Sequence, residues 1–89
     1  MAKLGSYGRT ELVRLEKEYT EFGPDSLTDW NRYTVALMSD NTVLQKIDVR
    51  FRSDGQKHSY GWKKKSKLKE GATVEQFVAR YEAHGYKRV

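Results

Sequence analysis

The strictest pattern in the chain is the alternation of residues 42–52, TVLQKIDVRFR. Val43, Gln45, Ile47, Val49 and Phe51 fall on one parity, and Leu44, Lys46, Asp48, Arg50 and Arg52 on the other. Period two over this length predicts a strand with one buried and one solvated face. Residues 32–38, RYTVALM, also alternate but are apolar on both parities, as in a central strand. Between them lies Ser39-Asp40-Asn41-Thr42, whose Asp-Asn pair tolerates the positive φ angles of a tight hairpin. Ser53-Asp54-Gly55-Gln56 forms the next turn, and residues 57–68, KHSYGWKKKSKL, run back from it. There Tyr60 and Trp62 share one parity and Lys63, Lys65 and Lys67 the other, while Gly61 marks a bulge or a close approach to the backbone.

The period then changes. Residues 73–84, TVEQFVARYEAH, place Val74, Phe77, Val78 and Tyr81 on one helical stripe. Thr73 and Gln76 have the spacing of a capping box, and Gly85-Tyr86 suits a left-handed C-terminal residue followed by its apolar contact. This helix is expected to cover one sheet face and bury Val43, Ile47, Val49 and Phe51.

Residues 10–22, TELVRLEKEYTEF, fit two readings. A helix would align Leu12, Leu15, Tyr19 and Phe22. A strand would turn Val13, Leu15 and Tyr19 inward, with Lys17 as the one misfit. The three strands that follow need a partner, which favours the strand. Residues 23–31, GPDSLTDWN, carry turn chemistry and read as a connection from which Trp30 folds back onto the core. Residues 1–9, with Gly5 and Gly8 and no periodicity, read as a flexible N-terminal arm ahead of a single domain over 10–89. The fold class expected is α+β: an antiparallel meander of three or four strands with a C-terminal helix packed on one face.

Composition narrows the function. The 89 residues suffice for one small core, and 37% of them are apolar. Without cysteine there are no disulfides and no thiolate metal ligands. No apolar run approaches the roughly 20 residues of a membrane helix, and the first ten residues lack the apolar stretch of a secretory signal. A cytoplasmic protein without a membrane partner is expected. Catalytic readings find little to stand on: His58 and His84 are far apart in sequence, no Gly-rich phosphate loop precedes a helix, and no serine has an evident His-Asp pair. His84 suits the last helical turn, where the dipole favours an imidazole. His58, in the basic segment, is either simply solvated or able to meet phosphate when protonated. The carboxylates Glu11, Glu16, Glu18 and Glu21 alternate with Arg14 and Lys17 as on a solvated face. No enzyme activity, metal or cofactor is expected.

Charge changes the picture most. Nine of the seventeen basic residues lie between Lys46 and Lys69, against Asp48 and Asp54 alone, so this segment carries +7 while the whole chain carries +5. Such local imbalance predicts a positive surface that meets a polyanion. If residues 42–52 and 57–68 pair, Lys46, Arg50 and Arg52 share an outer face with Lys63, Lys65 and Lys67, register permitting. Lys57 lies close by, and Tyr60 or Trp62 supplies a ring on which a base can stack. The expected function is non-enzymatic nucleic-acid binding, with single strands favoured, through Lys46, Arg50, Arg52, Lys57, Tyr60, Trp62, Lys63, Lys65 and Lys67. The alternative is a small adaptor or inhibitor, of the kind phages encode, that docks on an acidic protein surface, by sheet-edge pairing for example. Plainer accounts also exist: edge-strand lysines deter aggregation, and Trp62 can be core. The order of four strands and a helix resembles that of positive-cofactor and Whirly-type single-stranded DNA binders, and a related order occurs in WGR domains. The Trp-Gly-Arg signature of the last is absent, Tyr60-Gly61-Trp62-Lys63 standing there instead, and an architectural analogy transfers no site residue.

Overall fold

In the computed structural model, which describes residues 10–89, residues 11–19 are extended and resolve the ambiguity of that segment in favour of a strand. The elements run β1 (Glu11–Tyr19), β2 (Thr28–Met38), β3 (Thr42–Phe51), β4 (Lys57–Lys67), α1 (Val74–Ala83) and β5 (Lys87–Arg88). They form an α+β fold with one antiparallel five-stranded sheet, in the order β4-β3-β2-β1-β5, and a C-terminal helix. The expected N-terminal arm, 1–9, lies outside the described residues.

Two expectations need correction here. β2 begins at Thr28, so Trp30 is a strand residue paired with Arg50 and not part of a connection. The strand count is five because Lys87 and Arg88 pair with Glu16 and Leu15 of β1, a two-residue element too short to leave a periodic signal.

The tight turn after β2 works by the chemistry of its residues. Asn41 donates its N–H to the Met38 carbonyl (2.9 Å) and takes φ 70°, a conformation Asn tolerates, while Asp40 accepts from the Thr42 N–H (3.0 Å). α1 is closed at both ends. Thr73 Oγ1 accepts from the Gln76 N–H (3.1 Å), and Gln76 Oε1 accepts from the Thr73 N–H (2.9 Å). At the other end Gly85, at φ 93°, donates to the Glu82 carbonyl and Tyr86 to the Tyr81 carbonyl, the paired bonds of a Schellman motif. The accompanying contact is the Tyr81–Tyr86 ring pair, centroids 5.0 Å apart.

Phe77 and Val78 of α1 pack on Leu15, Val35, Leu37 and Val43, with Val13, Leu68, Val74, Tyr81 and Tyr86 around them. The helix lies nearest β1 and β5, so of the β3 residues expected beneath it only Val43 joins the cluster. Ile47, Val49 and Phe51 lie beyond its reach. Lys17, the misfit of β1, points to this side. Its ammonium donates to the His84 carbonyl (2.7 Å) and lies 4.9 Å from the Tyr19 ring centre, so it holds the end of α1 against the sheet. The second face has its own smaller core: Ala36, Met38 and Leu44, with Trp62 packed on them.

A Cβ at Gly85 would meet Lys17 Cε and Nζ at 3.2 Å, so the lysine tip must shift by a few tenths of an ångström, in addition to the strain of positive φ. Gly85→Ala is expected to lower the unfolding free energy by about 1–2 kcal/mol, read from the urea midpoint at constant m. A second expectation concerns the aromatic cluster beside that turn. Burial, with the hydroxyls of Tyr19, Tyr81 and Tyr33 nearby, pushes the Tyr86 phenol up to about 12 from 10.0. Below pH 10 both folded and unfolded chains keep this proton. From 10 to about 12 the unfolded chain loses it first, so stability falls as pH rises through that window. An ultraviolet titration of the phenolate band should show a late step near pH 12 that Tyr86→Phe removes.

Candidate nucleic-acid interface

Register decides which cations stand together. β4 is an edge strand, and its pairing with β3 slips twice. Lys46 faces Trp62 and Asp48 faces Ser59, so Tyr60 and Gly61 together oppose Ile47. This is a bulge, and Gly61 sits in it at φ 78°, where a side chain would strain the backbone. Val43 faces Ser66 and Leu44 faces Lys64, so Lys65 is the extra residue of a second bulge. Each slip resets the alternation. Directly paired residues project from the same face, so Lys63, opposite Gln45, projects on the side of α1, whereas Lys46, Trp62 and Lys64 project on the other. Of the three lysines expected on the face of Lys46 and Arg50, only Lys67, opposite Thr42, is returned to it; Lys63 projects on the side of α1 and Lys65 is the bulge residue, contrary to the expectation from parity.

On the face away from α1 the predicted residues form two separate groups. Trp62 lies on Ala36, Met38 and Leu44, and its ring carries the Arg14 guanidinium at 5.1 Å and the Lys46 ammonium at 5.3 Å. Cation–π contacts of this kind contribute about 0.5–1 kcal/mol each at exposed sites. Near the β3–β4 turn, Trp30 is only 9% exposed and lies beneath Lys57 at 4.7 Å and Arg32 at 5.3 Å. The arginines of this face are already answered. Arg50 Nε meets Asp29 Oδ1 at 2.7 Å, Arg32 Nε meets Asp48 Oδ2 at 3.4 Å, and Arg14 grips both oxygens of Glu11 at 2.7 and 2.9 Å. Arg52, in the turn after β3, points its guanidinium to the Gly23 and Pro24 carbonyls, each at 3.4 Å. Both tryptophans serve as cover for the sheet, with their own cations on them.

The outer edge of β4 differs. One groove, of about 490 Å³, opens between α1 and the Leu68 end of the hairpin, on a floor of Val43, Leu68, Ala72 and Phe77. Lys67, Lys69 and Arg80 rim it, with Tyr81, Gln76 and Ser66 in its walls. A second depression, of about 450 Å³, follows at the first bulge, lined by Gln45, Ile47, Tyr60, Gly61, Lys63, Lys64 and Lys65. Together the two are lined by six cations and no carboxylate. None of Lys63, Lys64, Lys65, Lys67, Lys69 and Arg80 belongs to an ion pair among the described residues. Tyr60 is 50% exposed, its ring edge to face with that of the exposed His58 at 4.6 Å. It is the predicted aromatic residue whose ring remains accessible.

Of the residues singled out from sequence, the fold gathers Tyr60, Lys63, Lys65 and Lys67. It sends Arg50, Arg52 and Lys57 to the far end of the hairpin, and Lys46 and Trp62 to the opposite face. Sequence reasoning missed Lys64, Lys69, Arg80 and Tyr81 as members of the site. Gln76 and Arg80 are four apart on the flank of the helical stripe, which marks them as neighbours. Only the docking of α1 shows that this flank faces β4. No three His, Cys, Asp or Glu side chains converge among the described residues. Nor is any helix among them long and apolar enough to cross a membrane.

The different work of the two rings can be measured. Trp62→Ala uncovers Ala36, Met38 and Leu44 and should cost about 3 kcal/mol of stability. Tyr60→Ala should stay within about 0.5 kcal/mol of the parent, since it removes an exposed ring from an edge strand. Thermal unfolding followed by circular dichroism checks both. No family model, no curated protein and no solved structure matches the chain.

Proposed function

We propose that the protein is a non-enzymatic nucleic-acid-binding protein that lays a phosphate backbone along the exposed β4 edge. The observation behind this reading is the pair of grooves lined by Lys63, Lys64, Lys65, Lys67, Lys69 and Arg80, with no carboxylate among the described residues that line them. Clustered cations with no ion-pair partner among the described residues repel one another, and a polyanion that neutralises them releases condensed counterions. Tyr60, exposed at one end of the row, gives a base a ring to stack on. Trp62, Lys46, Arg50 and Lys57 support the sheet in this reading and do not touch the ligand.

Docking on an acidic protein surface uses the same charge. Its edge-pairing form has less support, because β4 carries two bulges and five lysines, features that deter a strand from adding to an edge.

Fluorescence anisotropy with a labelled single-stranded oligonucleotide tests the proposal. Log affinity should fall linearly with log salt between about 50 and 200 mM, with a slope near −4 if all six cations engage. Replacing Lys63, Lys65 and Lys67 by Ala should reduce the slope by about 2, whereas Arg52→Ala with Lys57→Ala should leave it unchanged. Absence of binding at about 50 mM salt, or an unaltered slope in the triple variant, would refute the assignment.

A further inference from the structure

The groove beneath α1 is more than a stretch of the cationic row. Its floor is apolar, formed by Val43, Leu68, Ala72 and Phe77, and the Tyr81 ring stands in its wall. Its volume, about 490 Å³, falls within the range of small-ligand clefts. It exists because α1 settles over β1 and β5 and leaves the β3–β4 side of its face uncovered. Phosphates need none of this apolar surface, which a cationic row along a flat edge would not provide. The combination of an apolar floor, an aromatic wall, hydrogen-bonding Gln76 and Ser66, and a rim of Lys67, Lys69 and Arg80 matches a planar heterocycle joined to an anion. Lys63, Lys64 and Lys65 line a second hollow further along the same strand, which suits an anion that is a chain and not a single phosphate.

We infer that the groove between α1 and the β3–β4 hairpin takes one unpaired nucleobase of a bound single strand, while Lys67, Lys69 and Arg80 hold the flanking phosphates. This rests on the phosphate-backbone reading above and gives the expected preference for a single strand a site and a physical cause. A base still paired and stacked in a duplex presents only its edge and cannot enter the groove. The accessible Tyr60 ring at the other depression offers a second stacking point further along the same strand.

The test compares an oligodeoxythymidine of about 12 nucleotides with an abasic strand of equal length and charge, both at low salt. The wild-type chain should bind the abasic strand at least about fivefold more weakly, the lower end of the effect of one stacked base. Ala72→Leu fills the groove with an aliphatic side chain and removes no charge. It should weaken oligodeoxythymidine and leave the abasic strand unaffected, so the gap between the two shrinks while the salt slope stays the same. Ser66→Ile makes the same change from the opposite wall at an exposed strand position that suits a β-branched residue, and it replaces Ala72→Leu should that variant fail to fold by circular dichroism. Equal wild-type affinity for the two strands overturns base insertion and leaves the phosphate-backbone reading standing. A gap that survives in a folded groove-filled variant places the base elsewhere and overturns the inference as well. If neither strand binds, both readings fall.

Discussion

A five-stranded sheet has two faces to protect from water, and among the described residues there is one ten-residue helix with which to do it. That shortage of cover governs the rest of the structure. Phe77 and Val78 bring α1 down on Leu15, Val35, Leu37 and Val43, toward the β1 and β5 side. The opposite face is covered by a side chain, the indole of Trp62, laid over Ala36, Met38 and Leu44. Small Ala36 at the sheet centre leaves the ring space to lie there. Because the helix is short and sits off centre, its own face of the sheet keeps an open strip over β3 and β4. The candidate site lies in that strip, so it is a consequence of how little there is to cover the sheet with.

The bulges of β4 are the second device, and they bear on charge. Like charges directly opposite one another destabilise an antiparallel pair. In the observed register Lys46 faces Trp62, Lys63 faces Gln45, Lys64 faces Leu44 and Lys67 faces Thr42, so each of these lysines has an uncharged partner. One cross-strand cation pair does occur, Arg50 opposite Lys57, and there Asp29 binds the arginine at 2.7 Å while Trp30 lies under the lysine. Two extra residues in one strand thus disperse a dense run of lysines over both faces and the edge, and the edge is protected from pairing with another chain. The same dispersal leaves lysines unpaired around the groove, at no evident cost to the sheet.

Much of this was legible in the chain before folding. The strand over residues 42–51, the capping box of Thr73 and Gln76 and the Gly85-Tyr86 stop are local relations between side chain and backbone, and each appears as expected, but the face of that strand expected to be solvated is partly covered, with Leu44 and Asp48 buried. The bulge at Gly61 was signalled by a glycine inside a strand pattern. Trp30 was less legible. Its strand starts among Thr, Asp and Asn, residues whose propensity points to turns, and only pairing with Phe51 and Arg50 holds them extended. Lys17 read as a misfit because its partner, the His84 carbonyl, is 67 residues away. The site was half legible. The concentration of lysines was plain, but the division of Lys63 from Lys64, and the arrival of Arg80 and Tyr81 beside them, was not.

What the sequence by itself determined is what depends on near neighbours: the strand and helix periods, the turns, the caps, and the excess of positive charge between Lys46 and Lys69. These follow from hydrogen bonds and sterics within a few residues, or from a count. Tertiary structure alone decided which face each lysine occupies, because one extra residue in β4 inverts the alternation and only pairing with β3 shows where the slip falls. It also decided that Trp62 packs on Ala36, Met38 and Leu44, and that α1 reaches β3 only at Val43. Both are outcomes of a competition among apolar surfaces for limited cover, and that competition is settled by the whole sheet at once.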